Sequence, residues 1–181
     1  MSTTATSVDE VWASVARVAA WPRAVVLIDG GAGSGKTTLA ESLAARWPEA
    51  QVVGLDSFYP GWDGLLEASA AVAERVLDTS TPGYRRWDWA ASEPAEWVAL
   101  DPSRPLVVEG CGALTLASHV KADLAIWCEL DEDERKRRAL ERDGETFAPH
   151  WDAWEAQEAQ HWRLNRPRDL ADVIYRPVSQ A

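Results

Sequence analysis

The stretch VVLIDGGAGSGKTTLAESLA, residues 25–44, constrains the fold of this chain more than any other. A β-branched, apolar run from Ala24 to Ile28 breaks into glycines, and Leu39, Leu43 and Trp47 then follow at helical spacing. Gly30 to Thr37 fits G-x-x-x-x-G-K-[ST], with Gly30, Gly35, Lys36 and Thr37 in the fixed places. A continuous apolar strand feeding a helix reads as a strand buried on both faces. Glycines let the turn wrap its N–H groups inward, and the helix starting near Gly35 adds the positive end of its dipole. The pattern predicts a nucleoside triphosphate site. Its cradle is the backbone of Gly30, Gly31, Ala32, Gly33, Ser34, Gly35, Lys36, Thr37 and Thr38. Lys36 supplies charge to the β- and γ-phosphates, and the Thr37 hydroxyl is a ligand for Mg²⁺.

The rest of the chain alternates between strand and helix signals. A helix is expected over Val8–Ala20, a strand over Gln51–Leu55, and a helix over Leu65–Leu77. TPGYRRWDWAASEP reads as an irregular connection, and Glu93–Leu100 as helical. Strands follow at Pro105–Glu109 and Leu124–Leu130, helices at Glu132–Arg142 and His150–Leu164, and a last short strand at Asp172–Tyr175. Such alternation implies an α/β fold with a parallel sheet flanked by helices. The 181 residues suit one domain over 1–181, without internal repeat or linker.

In sheets of this kind ligands sit beyond the carboxyl ends of the strands. Asp29, Asp56 and Glu109 each end a strand. Asp56 and Glu109 are expected to converge near Lys36 and Thr37, where a carboxylate can hold a metal or take a hydroxyl proton. In ELDEDERKRRALERDGETF, Arg135, Arg138 and Arg142 fall at i, i+3 and i+7 on one helix face. A bare reading makes them part of a solvated salt-bridge pattern. The preceding strand points at the phosphates, however, and arginine forks stabilise the charge of phosphoryl transfer, so Arg138 and Arg142 are expected to act there.

Composition excludes several partners. A net charge of −11 argues against a nucleic-acid face. Residues 1–10 show no basic-then-apolar leader, and no apolar stretch approaches membrane length, so a cytoplasmic protein is the default. Cys111 and Cys128 are expected to be reduced and half-buried. Among 11 tryptophans, Trp151, Trp154 and Trp162 should pack the late helix on the core, whereas Trp87 and Trp89 can equally pack or stack on substrate. Asp88 between them can bind ligand hydroxyls. His119, His150 and His161 lack metal-ligand spacing and are expected in solvated or capping places.

GGAGSGKTT, LDSFY (55–59), VVEG (107–110), ERKRRALERDG (134–144) and ADVIY (171–175), in that order, resemble the uridine kinase branch of the small P-loop kinases. The resemblance implies a three-layer P-loop kinase fold, with a five-stranded parallel sheet, the phosphate-loop strand central, and a short lid over residues 135–150. It implies Asp56 as the catalytic carboxylate beside the acceptor hydroxyl, with Thr37 and Glu109 at Mg²⁺, where the strand-end reading also brings Asp56 as a metal candidate. Lys36, Arg138 and Arg142 would act on the phosphates of ATP. By the resemblance Tyr84 would match a tyrosine of the substrate-binding segment, and Tyr59, Arg85, Arg86, Asp88 and Glu109 join it as candidate acceptor-side residues of a substrate segment over 56–92 on their own chemistry.

A hydroxyl acceptor benefits from a base such as Asp56, which favours a nucleoside-like alcohol as the small-molecule acceptor. Arg85 and Arg86 pull toward a phosphate-bearing acceptor and keep a nucleoside monophosphate kinase as the alternative. A P-loop switch acting on proteins is less favoured. The third strand ends in VVEGCG rather than Asp-Glu, and no N-K-x-D motif is present.

Overall fold

Strand β2 (Val25–Asp29) is buried at all five residues, as its unbroken apolar run requires. It lies between β6 (Leu106–Glu109) and β7 (Leu124–Cys128), with Ile28 opposite both Glu109 and Ile126. The computed structural model describes residues 2–177. Within it, six parallel strands run in the order β1 (Thr3–Ala5), β8 (Val173–Tyr175), β7, β2, β6 and β3 (Gln51–Gly54). The alternation of side chains along β2 divides the core. Val25 and Leu27 face one layer, which contains α3 (Leu65–Ala71) and α6 (Trp151–Asn165). Val26 and Ile28 face the other, built from α1 (Val8–Val18) and α2 (Lys36–Arg46).

The sheet has one strand more than expected. Thr3–Ala5 pairs in parallel with Val173–Tyr175, so the polar N-terminus extends the edge instead of remaining a tail. A second difference lies in the substrate segment. Glu93–Ala99, expected as helix, is strand β5, paired antiparallel with β4 (Gly83–Asp88). Trp97 and Val98 are β-formers, and the Asp88 carboxylate accepts from the N–H groups of Ala90 and Ala91 to close the turn. The hairpin's long-range pairing overrides the helical look of an Ala/Glu-rich segment.

The helices otherwise follow their signals. Ser7 and Glu10 form a reciprocal cap on α1. After α4 (Leu116–His119) and β7, helix α5 (Glu132–Phe147) runs past Arg142 but is interrupted at Gly144 (φ 54°, ψ −135°). A short turn at Ala148–His150 then reverses the chain into α6, and α7 (Pro167–Leu170) leads to β8. Among the described residues, no helix is long and apolar enough to cross a membrane.

Candidate active site

The phosphate loop joins β2 to α2, and α2 starts without a side-chain cap. Its N-cap is Gly35, in the left-handed region (φ 89°, ψ 18°). The first helical N–H groups therefore keep their donor capacity for an anion. At Gly33 (φ 78°) a Cβ would overlap the carbonyl oxygen of Arg135, whereas at Gly35 a Cβ would meet no atom within 4 Å. Helix α5 thus lies against the back of the loop, and the Gly35 side opens on a cavity of about 660 Å³.

Three strand ends bring the chemistry to that cavity. Glu109 ends β6, next to Gly54 of β3, and its Oε1 accepts from the Thr37 hydroxyl at 3.1 Å. Asp56 follows β3 in a single turn (Leu55–Ser57), and its carboxylate lines the cavity. The Asp56 carbonyl accepts from Trp89 Nε1 at 2.9 Å, so the β4–β5 hairpin holds the segment that carries the carboxylate. Lys36 Nζ is buried, donating to the Gly31 carbonyl at 2.9 Å and lying 3.4 Å from Cys111 Sγ.

Burial alone would lower the Lys36 pKa, but the surrounding negative groups outweigh it and hold the ammonium above its ordinary value. Burial drives the Cys111 thiol well up, against the pull of the Lys36 ammonium. Burial, reinforced by Asp56, raises the Glu109 carboxyl against the pull of Lys36, Thr37 and Arg142. The Lys36 ammonium and the Glu109 carboxyl therefore share one desolvated wall, with the exposed Asp56 beside them.

The remaining wall is aromatic. Tyr59, Trp62, Trp89, Phe147 and Trp154 line the cavity. Trp62 stacks on His150 at 4.2 Å and on Phe147 at 5.6 Å. Among the described residues, Lys36 and Arg142 are the cations lining it, and Arg142 is engaged by Asp143 at 2.6 Å.

Ala32, Gly33, Gly35, Lys36, Thr37, Thr38, Asp56, Tyr59, Glu109 and Arg142 are brought together at this cavity. Gly30, Gly31 and Ser34 form the buried back of the loop. The other expected residues lie elsewhere. Arg138 bonds Glu134 at 2.7 Å along its own helix, and Tyr84 packs on Phe58 at 5.0 Å. Arg85 donates to the Ala95 carbonyl, Arg86 pairs with Glu96 at 2.6 Å, and Asp88 serves its turn, so the hairpin consumes its own charges.

Arg135 does not share a face with Arg142 toward the cavity. It is buried against the loop, over the Trp162 ring at 5.5 Å. His161, expected in a solvated or capping place, is fully buried. It meets Asp29 Oδ2 at 3.1 Å, and Asn165 lies 3.0 Å from its other nitrogen. Asp29 also accepts from the N–H groups of Gly30, Gly112 and Leu114. Glu158 went unread in the sequence. Its carboxylate is buried behind the loop, accepting from Ala32 N–H at 2.7 Å and Trp154 Nε1 at 3.1 Å. Both cysteines are free and fully inside, Cys111 at the cavity wall.

No family model and no curated protein matches this chain. Solved structures do. A possible uridine kinase from Bacillus stearothermophilus superposes with a TM-score of 0.64 at 17% identity, covering 93% of this chain and 96% of that one. The fold is that of the P-loop kinases. A candidate fructose transport system kinase from Silicibacter sp. TM1040 gives 0.60 at 20% identity, covering 94% and 99%. A gluconokinase from Sinorhizobium meliloti 1021 gives 0.52 at 18%, covering 88% and 85%.

Proposed function

We propose that this protein is an ATP-dependent phosphotransferase acting on a hydroxyl of an uncharged, ring-bearing small molecule of nucleoside-like chemistry. The observation that carries the reading is the cavity wall itself. It joins a phosphate loop, a buried lysine, a Thr37–Glu109 pair and the Asp56 carboxylate to an aromatic half. Kinase names among the solved structures of this fold support phosphoryl transfer to a small molecule.

The donor set fits magnesium triphosphate. The uncapped start of α2 and the Lys36 ammonium suit phosphate oxygens, and the Thr37 hydroxyl with the Glu109 carboxylate, joined by Asp56, suits a hard cation that keeps part of its water. Magnesium supplies neutralisation of charge on the phosphate oxygens. Lys36 binds and orients the β- and γ-phosphates. Asp56 orients the acceptor hydroxyl and takes its proton as the oxygen attacks. Arg142, which lines the cavity, exchanges Asp143 for the charge that develops in transfer. Trp62 and Trp89 supply aromatic surface on the cavity wall for a planar or apolar ring.

The scarcity of cations in the aromatic half favours an alcohol over a phosphate-bearing acceptor, because Arg85 and Arg86 lie off the cavity and Arg86 is neutralised. ATP consumption screened over nucleosides, nucleoside monophosphates and sugar alcohols tests this. Turnover with an uncharged alcohol is expected. Turnover with monophosphates alone transfers the assignment to a nucleotide kinase. With the acceptor in hand, Asp56→Asn should lower kcat by roughly 10²–10⁴-fold at nearly unchanged Mg·ATP affinity, and a variant retaining most of its turnover removes Asp56 as the base.

A further inference from the structure

We infer that Arg135 and Glu158 form a clamp that sets the phosphate-binding conformation of the loop, making both positioning residues for nucleotide binding. The inference rests on the nucleotide-binding part of the reading above.

The clamp closes on one residue. Glu158 Oε1 accepts the Ala32 N–H at 2.7 Å, and Arg135 Nη1 donates to the Ala32 carbonyl at 3.2 Å. The two side chains meet each other at 3.3 Å. Ala32 lies in neither helix nor strand, so its buried peptide groups have no ladder to join and must find partners from outside the loop. They come from two separate helices, α5 and α6, that the chain brings behind the loop.

The clamp also accounts for the loop's composition. A Cβ at Gly31 would overlap Arg135 Nη1, and one at Gly33 would overlap the Arg135 carbonyl oxygen. Neither position is fixed by the G-x-x-x-x-G-K-[ST] pattern, and at both the space a side chain would need is already taken by Arg135.

A brace between two helices would not need this arrangement. Two ions buried to 6% and 1% exposure are costly to desolvate, and an apolar pair of similar volume holds helices together as well or better. An ion pair instead holds both polar groups of one residue in a fixed direction. Glu158 is itself fixed by Trp154 Nε1 at 3.1 Å and the Cys111 thiol at 3.2 Å, and Arg135 by the Trp162 ring. With Ala32 held on both sides, the following residues Gly33, Gly35, Lys36 and Thr37 reach the cavity without being ordered by the nucleotide.

Calorimetric titration with Mg·ATP, beside thermal unfolding, tests the clamp. Glu158→Ala should weaken binding by roughly 10- to 100-fold, the scale of a lost bond to a charged group. Glu158→Gln keeps an acceptor for the Ala32 N–H and should recover most of that affinity. A Glu158→Ala protein that melts lower but binds Mg·ATP like wild type overturns the clamp and leaves a brace. Amide hydrogen exchange on the nucleotide-free wild-type chain gives an answer even if Glu158→Ala does not fold. The Ala32 amide should exchange as slowly as those of β2, and exchange at the rate of open loops overturns the inference. Failure of the wild-type protein to bind Mg·ATP would instead remove the nucleotide-binding reading, and the clamp with it.

Discussion

Substituting alanine at Gly33 and, separately, at Gly35 asks whether the loop is shaped from behind. Both glycines have positive φ, 78° and 89°, so each alanine carries a left-handed penalty of about 1–2 kcal/mol. Their surroundings differ. The Gly33 methyl would overlap the Arg135 carbonyl oxygen and lie 2.8 Å from its carbon, and backbone cannot swing aside as a flexible side chain can. Moving the start of α5 adds about 1–3 kcal/mol, the usual cost of overpacking. The Gly35 methyl meets no protein atom and adds nothing of this kind. At about 2–4 °C per kcal/mol for a chain of this size, Gly33→Ala should melt about 2–12 °C below Gly35→Ala. Differential scanning calorimetry of the nucleotide-free proteins measures that gap. Titration with Mg·ATP should show the cost at Gly35, whose methyl intrudes on the cavity wall that the phosphates would occupy. Equal melting temperatures, or a lower one for Gly35→Ala, would refute the packing of α5 on the loop.

Arg142→Ala should lower kcat by about 10²-fold or more, since charge-stabilising arginines act mainly in the transition state, whereas Arg138→Ala should stay near wild type because Arg138 is paired with Glu134 off the cavity. Steady-state kinetics of the two variants decides, and equal losses would mean that both arginines reach the phosphates. Glu109→Gln tests the raised Glu109 carboxyl. A folded state that holds this proton more tightly than the unfolded chain loses stability as pH rises from about the ordinary 4.5 through the raised value. In magnesium-free buffer, melting curves should therefore place Glu109→Gln at or above wild type at pH 7, with the gap closing toward pH 4. Parallel pH profiles would show that Glu109 is not strained.

The sheet was legible because a parallel strand buried on both faces leaves an unmistakable apolar run. Val25–Asp29, Leu106–Glu109 and Leu124–Cys128 all carry one, and their alignment puts Asp29, Glu109 and the residues after Gly54 at one edge. The elements that escaped reading are those whose stability is not local. Thr3–Ala5 contains no periodic apolar signal, and its strand exists because β8 offers a free edge. Glu93–Ala99 contains alanines and glutamates that favour helix in isolation, and only pairing with β4, with Arg86 on Glu96, makes it a strand.

The site divides along the same line. Lys36 and Thr37 were readable from the loop pattern, and Asp56 and Glu109 because each sits where a strand ends, a position that topology alone directs toward ligand. Arg85, Arg86 and Asp88 looked equally chemical, but charge in a sequence does not reveal its partner. Here a hairpin ladder supplied Ala95, Glu96 and the turn amides. Glu158 and His161 were the opposite case, and a signal for them existed. Trp151, Trp154 and Trp162 mark the buried stripe of α6, and Glu158 lies four residues from both Trp154 and Trp162, with His161 seven beyond Trp154. A carboxylate and an imidazole on the tryptophan face of a helix cannot be solvated, so each must have a buried partner. Arg135 is the matching oddity on α5. Arg137 carries the surface ion pairs with Glu134 and Glu141, while Arg135 turns inward. Two charged residues on the wrong faces of their helices, with glycines at the optional places of the phosphate loop, are what the clamp requires. Such coincidences can be sought in a sequence before any coordinates exist.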